Sequence, residues 1–139
     1  MKDATNLLRA AYYTRLVSKL TSPVVKVYDL VPDNAAGEYV AIGTATMNED
    51  SIKDQHLANY TVLLDVVTKF TGMEGGHKRS TDIADLCIQA IRDRSSLLTI
   101  TGFTIIVTVV ESVNELEEHT ATEHIYRRLV RFRHLIAQL

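Results

Sequence analysis

The sequence predicts a single α+β domain over residues 1–139, a mostly antiparallel β-sheet packed against two α-helices in the order α-β-β-β-α-β-β. Three observations predict it. Two stretches place apolar residues at three- and four-residue steps, and several others alternate with period two in runs rich in Val, Ile and Thr. No internal repeat, and no linker long enough to divide the chain, interrupts them.

From Ala4 to Leu20 the positions Ala4, Leu7, Leu8, Ala11, Tyr12, Leu16 and Leu20 share one helical stripe, which Ser22 and Pro23 end. Val24 to Val31 is short and β-branched, a first strand, followed by turn residues Pro32, Asp33, Asn34 and Gly37. Tyr39 to Met47 is a second strand, and the acidic stretch Asn48 to Asp54 is a hairpin connection or exposed loop. In Asn59 to Phe70, Tyr60, Val62, Leu64, Val66 and Phe70 fall on one face, the pattern of a long half-buried or interfacial strand.

Gly72, Gly75 and Gly76 then break the chain. Ser80 or Thr81 caps a second helix that buries Ile83, Leu86, Cys87, Ala90 and Ile91, carries Asp82 and Asp85 in its first turns and ends near Arg94. Leu97 to Ile100 and Phe103 to Val113 read as a continuous or kinked strand bending at Gly102. Glu111 to Thr122, with its acidic run Glu115, Glu117 and Glu118, is expected to be a loop or hairpin tip. Glu123 to Ile136 is the last strand, with Tyr126, Val130, Phe132 and Ile136 on one face and Arg127, Leu129, Arg131, Arg133 and Leu135 on the other. A helix competes there, because Ile125, Leu129, Phe132 and Ile136 also match helical spacing.

Composition excludes several classes. An apolar fraction of 46% against 23% charged, with 6 Gly and 2 Pro, describes a chain that folds. The net charge of −2 provides no overall basic field for nucleic acid. Cys87 is the single cysteine, so no disulfide scaffold forms within the chain. Charges at Lys2, Asp3, Arg9, Arg15 and Lys19 leave no apolar signal core, so the N-terminus is expected to be retained, and no run approaches the ~20 apolar residues of a membrane span.

The chemical motifs are absent. No Gly-x-Ser-x-Gly occurs, Cys87 lies on an apolar helical stripe as a small buried hydrophobe, and Gly72 to Gly76 lacks the lysine and spacing of a P-loop. His119, Glu123 and His124 cluster, but the spacing departs from the helical His-Glu-x-x-His of zinc sites, so a polar hairpin tip without metal is expected. His56 and His77 are isolated in polar stretches and expected to be solvated. No catalytic residue, cofactor or metal is assigned, although catalytic groups that gather only in three dimensions leave a small enzyme as an alternative.

One charge anomaly stands out. His124, Arg127, Arg128, Arg131, Arg133 and His134 crowd into the last strand of a slightly acidic protein. Alternation sends Arg127, Arg131 and Arg133 to one side as a guanidinium row suited to carboxylates or phosphates. Such a row serves local salt bridges to Glu111 or Asp65, an acidic patch of a neighbouring subunit, or nucleic acid, the last without aromatic interleaving or a recognition motif.

The sequence resembles the tail-completion family of tailed phages, whose members act as tail terminators or neck components. Leu7-Leu8-Arg9-Ala10-Ala11-Tyr12-Tyr13-Thr14-Arg15-Leu16 is similar to that family's opening helix, and Val27 to Pro32 with Glu38 to Gly43 to its first hairpin. Val62 to Phe70 and Ala84 to Ile91 resemble its central strand and second helix, and Tyr126 to Arg133 its closing strand. The resemblance implies a virion protein made in the host cytoplasm, a homo-oligomeric ring (hexamer or dodecamer) without cofactor or catalysis. It implies stacking on adjacent neck, connector or tail-tube proteins, with the genome passing through the lumen and no membrane contact. Arg127, Arg128, Arg131, Arg133, Glu49, Asp50, Glu115, Glu117 and Glu118 are then the expected interface residues.

Overall fold

The computed structural model describes residues 2–21, 24–35, 37–72 and 75–139. The expected helix stop at Ser22 and Pro23 lies outside these residues, as do Met73 and Glu74 of the glycine break. The elements are α1 (Thr5–Lys19), β1 (Lys26–Tyr28), β2 (Glu38–Glu49), β3 (Leu57–Thr71), α2 (Lys78–Ile91), β4 (Phe103–His119) and β5 (Glu123–Gln138). The strands form one sheet in the order β1-β2-β3-β5-β4, antiparallel throughout except for the parallel β1 and β2 pair. The fold class and element order are those the sequence predicts.

The alternation in β3 and β5 sets the architecture. Tyr60, Val62, Leu64 and Val66 of β3 and Val130, Phe132, His134 and Ile136 of β5 are buried, while the residues between them are half-exposed. The buried set meets Leu8, Tyr12 and Leu16 of α1 and Ile83, Ala84, Cys87, Ala90 and Ile91 of α2, so both helices lie on one face of the sheet. Leu7 departs from the predicted stripe and turns outward at 44% exposure. Polar groups within this layer are paired, as burial requires. The Tyr12 hydroxyl meets His134 Nε2, Thr108 Oγ1 lies 2.9 Å from His134 Nδ1, and the Ala4 backbone N–H donates to the Tyr60 hydroxyl at 3.0 Å.

Arginines fasten α1 at two sites. Arg9 donates to the carbonyls of Ile42 and Gly43 beside the irregularity in β2 and pairs with Asp29. Arg15 donates to Ala90 O at 2.9 Å, Ser96 O at 2.7 Å and Leu97 O at 3.3 Å.

Several predicted boundaries are corrected. The first strand shrinks to Lys26–Tyr28, because Thr21 and Val24 form a separate bridge and Val25 N–H donates back to Leu20 O. Asn48 and Glu49 continue β2 by pairing with Asn59 and Ala58, so the loop is shorter than predicted. In α2, Ser80 is no cap: it is buried inside the helix, its hydroxyl donating to His77 O at 3.0 Å, and no acid lies in the first turn. The helix ends at Ile91. Leu97 to Ile100 is not a strand, since Arg15 takes the carbonyls of Ser96 and Leu97 and only an isolated bridge joins Ile100 to Phe103 around Gly102 at φ 83°.

The largest correction concerns Glu111 to Thr122. β4 runs on to His119, and the turn is confined to residues 120–122. The acidic run is carried as strand because Glu115, Glu117 and Glu118 each find a basic partner nearby, which removes the repulsion that argued for a loop. The competing helical reading of the last segment falls, since β5 pairs along its whole length with β3.

Candidate functional site

The sheet face opposite the helices carries the predicted guanidinium row. Arg127, Arg131 and Arg133 lie opposite Val67, Leu63 and Thr61 of β3, with Leu129 and Leu135 between and beyond them. Arg128, one residue out of phase, projects to the other side and pairs with Glu115, its partner across β4. The four arginines are therefore three and one.

The three differ in how far their charge is met. Arg127 Nη1 stands 3.8 Å from Asp65 and 3.7 Å from Glu118, close enough for attraction and too far for a hydrogen bond. Arg127 Nε and Asp65 Oδ1 are both buried without a hydrogen-bond partner among the described residues. Burial raises the Asp65 carboxyl above its ordinary range, Arg127 pulls it down and Glu118 pushes it up again. Arg131 and Arg133 reach only Thr61 Oγ1 at 3.5 Å and Asn59 Oδ1 at 3.4 Å, the long limit of a hydrogen bond. Among the described residues neither has a carboxylate within ion-pair distance.

The acidic candidates separate into two groups at opposite ends of β3. Glu49 and Asp50 sit at the β2 to β3 turn, where Glu49 accepts from the Ser51 hydroxyl at 2.8 Å and Ile52 is 61% exposed. Glu115, Glu117 and Glu118 sit near the β4 to β5 tip and are engaged within the chain. Glu117 accepts from His77 on one oxygen and lies 3.3 Å from His119 Nε2 on the other, which holds its carboxyl below the ordinary range.

Sequence reasoning placed His119 and His124 at this tip but missed His77. His77, expected to be solvated, packs edge-on against Tyr126 and meets Glu117 forty residues away in sequence. His119 and His124 face each other across the last rung of the hairpin, their Nδ1 atoms 2.6 Å apart. A five-residue spacing is meaningless on a helix but natural around a short turn. Recognising that acids of β4 oppose bases of β5 would have extended the strands and set the two imidazoles on one rung.

Cys87 and His134, the groups best suited to catalysis, are both buried. Cys87 is buried and its thiol is pushed up to about 12 by desolvation, which makes it inert. His134, with no exposure, is lowered to about 4 by the same cause and is enclosed by Tyr12 and Thr108. A groove of 380 Å³ between α1 and the 98–101 segment has Arg15 as its one charged lining residue, and that guanidinium is spent on backbone carbonyls. Among the described residues no three His, Cys, Asp or Glu side chains gather to hold a metal, and no helix is long and apolar enough to cross a membrane.

The sheet is thus covered by helices on one face and carries partly met charges on the other. The chain belongs to the family described as tail completion protein gp17, whose model matches residues 7–137, and it is a structural protein of the phage tail. The fold is shared with a solved chain from the virion of a native gene transfer agent particle, at 19% identity and a TM-score of 0.77, covering 99% of each chain. A second solved structure, at 18% identity and a TM-score of 0.50, covers 96% of both chains. No curated protein matches the chain.

Proposed function

We propose that the chain forms a closed homo-oligomeric ring, hexameric or dodecameric, at the phage neck or the top of the tail, where it completes the tail and joins it to the head. The carrying observation is the face opposite the helices, where Arg131 and Arg133 lie half-buried beside Leu129 and Leu135 without a carboxylate. A guanidinium held this way gains from an acidic partner that also covers its apolar neighbours. Arg127 and the acids at the β4 to β5 tip hold the hairpin in shape, and Glu49 and Asp50 at the far turn offer the opposite charge to a neighbour.

Such contacts are heterologous, and rings result when they close by rotation. Adjacent neck, connector or tail-tube proteins stack on the ring, and the genome passes through its lumen without sequence-specific contact, in keeping with a net charge of −2. The ring resides in the virion after synthesis in the host cytoplasm. It makes and breaks no bond and needs no cofactor for this role. Native mass spectrometry with negative-stain images, of the protein alone and mixed with neck components, tests the proposal. A ring or a stacked complex is expected; a chain that stays monomeric and joins none of those components sinks it.

A further inference from the structure

Independently of that role, we infer that His119 and His124 form a binding site for a divalent late transition-metal ion such as Zn²⁺ at the tip of the β4 to β5 hairpin. The two residues are the last cross-strand pair before the turn, with ring centroids 4.9 Å apart, planes inclined at 67° and Nδ1 atoms separated by 2.6 Å. A neutral imidazole carries one proton, and the hydrogen bond made by one nitrogen fixes the state of the other.

Both far nitrogens face groups that accept. His124 Nε2 lies 3.0 Å from the carbonyl oxygen of Gly72, so it carries the proton and leaves Nδ1 bare. His119 Nε2 lies 3.3 Å from Glu117 Oε2, a carboxylate oxygen that favours a proton on that nitrogen. The two Nδ1 atoms face each other across 2.6 Å, so either one shared proton or a metal cation stands between them. Metal-bound histidines show this same outer shell, the second ring nitrogen donating to a backbone carbonyl or a carboxylate. Glu117 is itself steadied from the far side by His77.

The fit to a metal is close. Zn–N bonds of about 2.0–2.1 Å at a tetrahedral angle hold two nitrogens roughly 3.3 Å apart, so the pair must open by about 0.7 Å. Both residues sit on the terminal rung next to the exposed 120–122 turn, where a shift of that size disturbs no buried packing. Two imidazoles select Zn²⁺, Ni²⁺ or Cu²⁺ over Mg²⁺ and Ca²⁺. No third protein ligand is in place among the described residues, so water completes the shell. The expectation of a metal-free tip rested on helical spacing, and a hairpin rung removes that objection.

Calorimetric titration of the full chain with ZnCl₂ at pH 7.5, with MgCl₂ as control, tests the site. One Zn²⁺ per chain in the micromolar range is expected, weakened at least tenfold in His119→Ala and in His124→Ala. Glu117→Gln keeps both ligands and is expected to lose about tenfold through the outer shell alone. On the unmutated protein, ¹⁵N spectra should show both Nδ1 resonances moving with Zn²⁺ while both Nε2 stay protonated. This reading does not depend on how any variant folds. Absence of binding at 1 mM Zn²⁺, undiminished binding in both alanine variants, or a proton between the Nδ1 atoms that Zn²⁺ does not displace would overturn the inference. Binding is counted per chain, so the outcome is separate from whether a ring forms.

Discussion

The two faces of strand β5 share one backbone and oppose each other in chemistry. Toward the helices, Val130, Phe132, His134 and Ile136 are buried, and the imidazole within that row has a partner on each nitrogen. Away from them, Leu129, Arg131, Arg133 and Leu135 are half-exposed, and the guanidiniums meet neutral oxygens at the limit of hydrogen bonding. The first face is closed within the chain; the second leaves Arg131 and Arg133 without a carboxylate among the described residues. Alternation at single-residue steps thus lets one strand hold a core on one side and carry a charged row on the other.

Substitutions on the two faces should therefore fail in different assays. The largest effect is expected from Phe132→Ala, about 3–5 kcal/mol of stability lost in urea unfolding, because the ring has no exposure and packs edge-on against Tyr12 at 5.8 Å. A comparable loss from Leu129→Ala would erase the contrast between the faces.

Next is the pH dependence set by His134. Its folded pKa of about 4 lies below the ordinary 6.5, so the unfolded chain takes up the proton first. Its contribution is full above pH 6.5 and is lost as pH falls toward 4, by roughly 3 kcal/mol at most. His134→Leu should flatten that slope between pH 6.5 and 4 in urea melts, and an unaltered slope would move the acid sensitivity elsewhere. The smallest stability effect is expected on the open face. Arg131→Glu combined with Arg133→Glu should change unfolding by no more than about 0.5 kcal/mol while abolishing ring or stacked complexes in native mass spectra. Intact assembly in that variant would dismiss the arginines as contacts.

Much of this architecture is visible in the residues. The two-residue period of β3 and β5 places Tyr60, Val62, Leu64, Val66, Val130, Phe132 and Ile136 in the core, though it misses the burial of Val67 and His134, and it also sends Arg127, Arg131 and Arg133 to one side. The errors share a physical origin in partners distant along the chain. Glu115 to Glu118 look like a loop until Arg127, Arg128 and His77 are set opposite them. Leu97 to Ile100 look like a strand until Arg15 claims the neighbouring carbonyls. Ser80 looks like a helix cap, a local signal that fails because its hydroxyl folds back onto His77 O. At the candidate site, the row was legible and its incomplete neutralisation was not. Whether a guanidinium finds a carboxylate depends on side-chain reach across strands that periodicity does not report.

The ladder between β3 and β5 has one further consequence. It runs without a register shift from the pair Leu57 and Ala137 to the pair Thr71 and Glu123, at the centre of the sheet. Antiparallel hydrogen bonds lie perpendicular to the strands, so tension applied lengthwise shears all of them together, while a sideways pull would peel them one after another. The molecule is mechanically anisotropic, stiffest along the axis of these two unbroken paired strands, and the direction in which it is mounted decides how much load it withstands.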